Sequence, residues 1–117
     1  MTTLDILRRE PDIRSYKRGD TIFRAGDPAD CMYAVVDGSV DIRIHGSVKE
    51  QIAPGGVFGE MGLIDAQPRS ADALAATDCS LAVISEKRFL RLVEMMPQFA
   101  LQMMRVITQR LRRQDSV

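Results

Sequence analysis

Glu60, Arg69 and the glycines at 56, 59 and 62 share one stretch, Gly56-Val57-Phe58-Gly59-Glu60-Met61-Gly62-Leu63-Ile64-Asp65-Ala66-Gln67-Pro68-Arg69-Ser70-Ala71. Glycines let a backbone turn tightly and bring its N–H groups close to a ligand, because no Cβ stands in the way. The short apolar run at 61–64 is long enough for one helical turn, whose first N–H groups would favour an anion. Arg69 adds a full charge and a planar fork of donors for the same anion. Ionised Glu60 only accepts hydrogen bonds, so it suits a hydroxyl pair such as that of a ribose. Anion donors and a hydroxyl acceptor in one loop describe a site for a sugar phosphate. The plain alternative is a tight turn closed by a surface Glu60–Arg69 salt bridge, which would contribute little. Two familiar phosphate loops are excluded by reading. No Gly is followed by Lys, as a P-loop requires, and glycines at intervals of three do not make Gly-x-Gly-x-x-Gly.

The segments that must position this loop read as short strands. Residues 13–16, 21–23, 32–36 and 40–44 are apolar or alternating, and turn signals separate them at Gly19-Asp20, Gly26-Asp27-Pro28 and Asp37-Gly38. Asp37-Gly38 is the pair expected of a type I′ hairpin. His45-Gly46-Ser47 turns again, residues 48–52 form a weaker strand, and residues 70–75 and 79–84 form the last two. Many short strands at this spacing predict an antiparallel sandwich or roll. A short helix over residues 4–9, stopped by Pro11, precedes it. After residue 84 the period changes: Ser85 caps a helix whose inner face is Phe89, Leu92, Val93 and Met96. Pro97 ends it and opens a second, lined by Ala100, Met103 or Met104, Ile107 and Leu111. The fold class is therefore mainly β: an antiparallel, jelly-roll-like β-roll with a short N-terminal helix and two C-terminal helices.

Phe58-Gly59-Glu60-Met61-Gly62-Leu63-Ile64, followed at this interval by Pro68-Arg69-Ser70-Ala71, resembles the phosphate-binding cassette of the cyclic nucleotide-binding domain family. That family includes bacterial catabolite activators, the regulatory subunits of cyclic-AMP-dependent kinase and cyclic-nucleotide-gated channels. The spacing of Gly19, Gly26, Met32-Tyr33 and Gly38 is similar to the family's roll, so the resemblance covers most of the chain. It implies that Arg69 pairs with the exocyclic phosphate oxygens and that Glu60 accepts the ribose 2′-hydroxyl. Ser70 would offer its hydroxyl and N–H, while Gly59, Met61, Gly62 and Ala71 shape the loop and supply backbone donors or close contact. Val57 and Phe58 are outlying candidates, as is Arg105, which would approach base or phosphate when the last helix closes. The bland reading of the basic tail is a solvated helix face. One cyclic phosphate charge matches one arginine. Ser70 is compatible with cyclic AMP or cyclic GMP as ligand, and its likeness to bacterial cyclic-AMP sensors favours cyclic AMP.

Composition narrows the classes. The 117 residues suit one domain over 1–117, and sixteen basic against sixteen acidic residues argue against a dedicated nucleic-acid binder. No secretory leader or membrane span is legible, so a cytoplasmic location is expected. Cys31 and Cys79 are isolated and read as reduced, buried residues. An enzyme is not expected: His45 is the only histidine, and no nucleophile–base pair or metal cluster is apparent. No cofactor is implied beyond the nucleotide ligand. No DNA-binding module, channel span or output module is recognisable, which leaves three readings open: output through a separate, unidentified protein effector, buffering of the nucleotide, or a domain that is one piece of a larger protein. The alternative is a ligand-free jelly-roll scaffold for protein association, whose sequence sign would be loss of the Glu or the Arg.

Overall fold

The computed structural model describes residues 3–115. Its strands are β1 (Ile13–Tyr16), β2 (Thr21–Phe23), β3 (Cys31–Asp37), β4 (Val40–Ile44), β5 (Ser47–Ile52), β6 (Val57–Phe58), β7 (Asp72–Ala75) and β8 (Cys79–Ser85). Its helices are α1 (Thr3–Leu7), α2 (Met61–Asp65), α3 (Glu86–Met95) and α4 (Pro97–Asp115). Backbone proximity divides the chain into two compact units, Met1–Glu86 and Lys87–Val117.

Two turns of one design begin the first unit. Lys17-Arg18-Gly19-Asp20 and Arg24-Ala25-Gly26-Asp27 share a basic-x-Gly-Asp pattern. In each, the aspartate N–H donates to the carbonyl three residues back, at 2.9 and 3.0 Å. The aspartate carboxylate accepts that residue's N–H, at 2.8 and 2.9 Å. The glycines take φ of +90° and +91°, the left-handed third position of a type II turn. The side-chain bond doubles the backbone closure, which is why Asp suits the last position. Both turns lie where the sequence places them.

The strands form two antiparallel sheets, ordered β1-β8-β3-β6 and β2-β7-β4-β5. Phe23, Tyr33, Val35, Val40, Ile52, Phe58, Ala73, Ala75, Cys79, Leu81 and Val83 meet between them as the core. Their period of two along β3, β7 and β8 puts one row from each strand inside. The other rows of β3 and β8 are also buried, with Met32, Ala34, Ala82 and Ile84 at 0% exposure. That explains why residues 32–36 read as a continuous apolar run rather than an alternating one. Burial pushes the Cys79 thiol above its ordinary pKa, and both cysteines are unlinked. The expected roll is thus observed.

One turn is displaced from its expected place. Asp37-Gly38 does not close a hairpin: β3 pairs with β6 and β8, whereas β4 pairs with β5 and β7. The chain crosses from one sheet to the other there. Ser39 N–H donates to Thr77 Oγ1 at 3.0 Å, and Ala76 N–H to the Ser39 carbonyl at 3.0 Å. Gly38 is required because a Cβ would collide with the Asp78 carbonyl and Cys79. The two-residue hairpin instead uses His45-Gly46, between Ile44 and Ser47, with φ of +52° and +80°. Positive φ at both central residues is the type I′ requirement. Histidine at the first of them is strained relative to Asn. His45→Asn should therefore stabilise the protein by about 0.5–1 kcal/mol, read as a higher urea midpoint at unchanged slope. A lower midpoint would show that the His45 ring makes a contact worth more than the turn.

Smaller differences concern boundaries. The strand expected over 70–75 begins only at Asp72, and Val57–Phe58 pairs with β3 as a separate strand. In the second unit, α3 ends at Met95 and α4 opens on Pro97. Leu92, Phe99 and Met103 are buried, and the Phe89 and Phe99 rings lie 5.6 Å apart. Of the expected inner face of α4, Met103 is in while Met104 and Leu111 are 61% and 50% exposed. Adjacent helical residues point about 100° apart, so only one of the Met pair can face inward.

Candidate functional site

The cassette is built on the sheet core. β6 ends at Phe58, Gly59 turns the chain with φ of +75°, and α2 follows as a single turn and a half. Glu60 stands at the head of α2 in helical conformation and is buried, at 4% exposure. α2 stops at Ala66, whose φ of +56° is left-handed, and Gln67 N–H donates to Asp65 Oδ1 at 3.1 Å. The chain then returns through Pro68 to Arg69.

Arg69 is 8% exposed, so the surface salt-bridge reading of Glu60 and Arg69 fails on burial. Nη1 of Arg69 donates to the Gly59 carbonyl at 2.8 Å, and Nη2 to the Cys31 carbonyl at 2.7 Å. Cys31 Sγ lies 3.7 Å from the same Nη2. The guanidinium carbon sits 4.3 Å from the Phe23 ring centroid and 5.8 Å from that of Tyr33. Nε is buried without a hydrogen-bond partner among the described residues. Arginine stays charged at any ordinary pH, and a buried donor left unpaired costs about 1–3 kcal/mol. A buried cation with one donor unspent is the chemistry of an anion site. Burial, reinforced by a hydrogen bond to the Cys31 thiol, pushes the Tyr33 hydroxyl above its ordinary range, so it stays neutral.

The glycines serve this cation more than the sequence alone indicates. A Cβ on Gly59 would meet Arg69 Nη1 at 2.7 Å, and one on Gly62 would meet Ala29 Cβ at 2.5 Å and Nη1 at 3.2 Å. Both positions make room for the guanidinium. Gly62 and Leu63 N–H groups donate within the turn, to the carbonyls of Gly59 and Glu60 at 3.3 and 3.1 Å. Ser70 is exposed and Ala71 is buried ahead of β7. Met61 is half exposed. Val57 and Phe58 are buried in β6, with Phe58 in the core between the sheets. Arg105 is exposed on α4, in the second unit.

Several residues that hold the site escape a motif reading. The second type II turn clamps the arginine backbone: Gly26 N–H donates to the Arg69 carbonyl at 2.8 Å, and Arg69 N–H to the Asp27 carbonyl at 2.9 Å. Ala25 N–H donates to Asp72 Oδ1 at 2.8 Å. Phe23, Cys31 and Tyr33 are the others. In the sequence, Gly26-Asp27 and Met32-Tyr33 mark the segments that carry some of them but not their contacts with Arg69. Among the described residues no cluster of three His, Cys, Asp or Glu side chains is placed to hold a metal, and no helix is long and apolar enough to cross a membrane.

The fold is a two-sheet roll, and its buried arginine is hydrogen-bonded to the carbonyl of Gly59 in the Gly-Glu turn. The sequence model of the cyclic nucleotide-binding domain matches residues 13–95. A cyclic nucleotide-gated potassium channel of Mesorhizobium japonicum is 40% identical over 87 residues, which are 74% of this chain and 24% of that one. The cyclic AMP receptor protein of Thermus thermophilus is 35% identical over 107 residues, 87% of this chain and 50% of that one. The crystal structure of the Thermus thermophilus catabolite activator protein superposes with a TM-score of 0.82 at 30% identity, covering 97% of this chain and 55% of that one. The chain belongs to the cyclic nucleotide-binding domain family, as its cassette implies. It spans a half or less of the length of these two sequence relatives.

Proposed function

We propose that this chain is a cyclic AMP sensor that binds the nucleotide through the cassette and passes the binding event to a separate protein. Arg69 takes the exocyclic phosphate oxygens and Glu60 the ribose 2′-hydroxyl. Ser70 adds its hydroxyl, and Gly59, Met61, Gly62 and Ala71 close the loop around them. The observation that carries the reading is the Arg69 guanidinium, buried at 8% exposure with Nε lacking a partner. A single cyclic phosphate charge compensates it, whereas a triphosphate brings excess charge. Ser70 suits either base, and the relative that is a cyclic AMP receptor favours adenine over guanine.

Calorimetry with cyclic AMP and cyclic GMP tests the reading directly. Tight binding of cyclic AMP is expected, with weaker binding of cyclic GMP. Binding of neither would overturn it. Glu60→Gln should weaken cyclic AMP more than its 2′-deoxy analogue, because the analogue lacks the hydroxyl that Glu60 reads. The protein–ligand cycle should yield a coupling of about 1–3 kcal/mol, that of a hydrogen bond to a charged group. Equal losses for both ligands would make Glu60 a support of α2 and not a reader of the sugar.

A further inference from the structure

The chain is poor in aromatic residues, at 5% of its length. Three of them nevertheless meet under one cation. Phe23 lies 5.9 Å from Tyr33 and 6.0 Å from Phe58, centroid to centroid, and Tyr33 stacks on Phe58 at 5.2 Å. Phe23 comes from one sheet, Tyr33 and Phe58 from the other. All three are buried, and the Arg69 guanidinium caps the group with its carbon 4.3 Å from the Phe23 ring centroid. An aromatic face carries negative potential, and it attracts a guanidinium within about 6 Å, most strongly where both are desolvated.

The geometry of the two hydrogen bonds shows what the ring adds. Nη1 and Nη2 are held by the carbonyls of Gly59 and Cys31. The Phe23 face adds an attraction that uses no donor, so it leaves Nε unspent. A carbonyl or carboxylate in its place would consume the N–H group or neutralise the charge that the ligand needs.

The geometry points to Phe23 as the positioning residue for Arg69: its ring face holds the guanidinium by a cation–π contact, ready for the cyclic phosphate. This rests on the reading that Arg69 takes the phosphate. The substitution that isolates the effect is a fluorination series at position 23, from phenylalanine through mono-, di- and trifluorophenylalanine to the pentafluoro ring. Fluorine withdraws density from the ring face while nearly preserving its shape. The dissociation constant for cyclic AMP should rise stepwise along the series, by about 3- to 30-fold at its end, the range of a partly to fully desolvated cation–π contact. A flat series in folded protein would overturn the proposal, because a packing role alone is indifferent to ring electronics.

A second measurement separates this idea from the functional reading. In ligand-free protein, the Arg69 Nε–H proton should be detectable by NMR, slowed in exchange by burial and shifted by the Phe23 ring current. Pentafluorophenylalanine at position 23 should broaden it and speed its exchange. Should the native protein bind neither cyclic nucleotide, the functional reading fails, and the platform stands or falls on this signal. An Nε–H resonance unchanged by fluorination would refute it.

Discussion

Arg69→Ala is expected to raise the dissociation constant for cyclic AMP by roughly thirty- to several-thousand-fold. Truncating one partner of a desolvated charged contact costs about 2–5 kcal/mol, at 1.4 kcal/mol per decade. The structure adds a second consequence that the motif alone does not carry. Arg69 bridges the Gly59 and Cys31 carbonyls across the site and packs on Phe23. Its removal strips two carbonyls of their partner and opens space beneath α2, at a cost to stability of about 1–3 kcal/mol. Arg69→Lys keeps the charge and serves as the companion variant. A point charge on a flexible stem cannot span both carbonyls and the phosphate at once, so it should still lose at least tenfold in affinity. The check is calorimetry on variants shown to be folded by circular dichroism. A loss below threefold in a folded Arg69→Ala protein would remove Arg69 from the phosphate site.

The second large effect concerns the carboxyl-terminal helix. Deleting residues 98–117 should lower cyclic AMP affinity by up to about eighty-fold. The sensor reading requires two states, and a ligand shifts their balance only by its differential affinity for them. Moving α4 from one-tenth to nine-tenths in its ligand-bound placement takes about 2.6 kcal/mol. The first unit has its own two-sheet core and includes the whole cassette, so the truncated protein should remain folded and bind weakly. Amide hydrogen exchange along α4, with and without cyclic AMP, reads the same event in the intact chain. Unchanged protection across α4 during tight binding would sink the two-state reading and leave the helix to packing alone.

Much of the candidate site was legible in the residues themselves, because a cassette is local. Gly59, Glu60, Arg69 and Ser70 lie within twelve positions, and together they carry the resemblance to the family. The strands over 13–16 and 21–23, the turns at Gly19 and Gly26, and the break at Pro97 were legible for the same reason. Each depends on the φ preference, capping or side-chain alternation of residues that are neighbours in the chain.

What the tertiary structure decided is everything that depends on which strands meet. Asp37-Gly38 and His45-Gly46 are both turn dipeptides, yet only the second closes a hairpin, because strand pairing with β7 and β8 sends β3 and β4 into different sheets. Met103 and Met104 are alike in type, yet only Met103 is buried. Arg69 reads from sequence as a ligand's partner, and the fold makes it also a strut that reaches Cys31, 38 residues away, and rests on Phe23. Such contacts leave no local periodicity to read. They exist because two sheets bury their apolar faces together, and that burial brings an aromatic ring from one sheet and a carbonyl from the other to the same guanidinium.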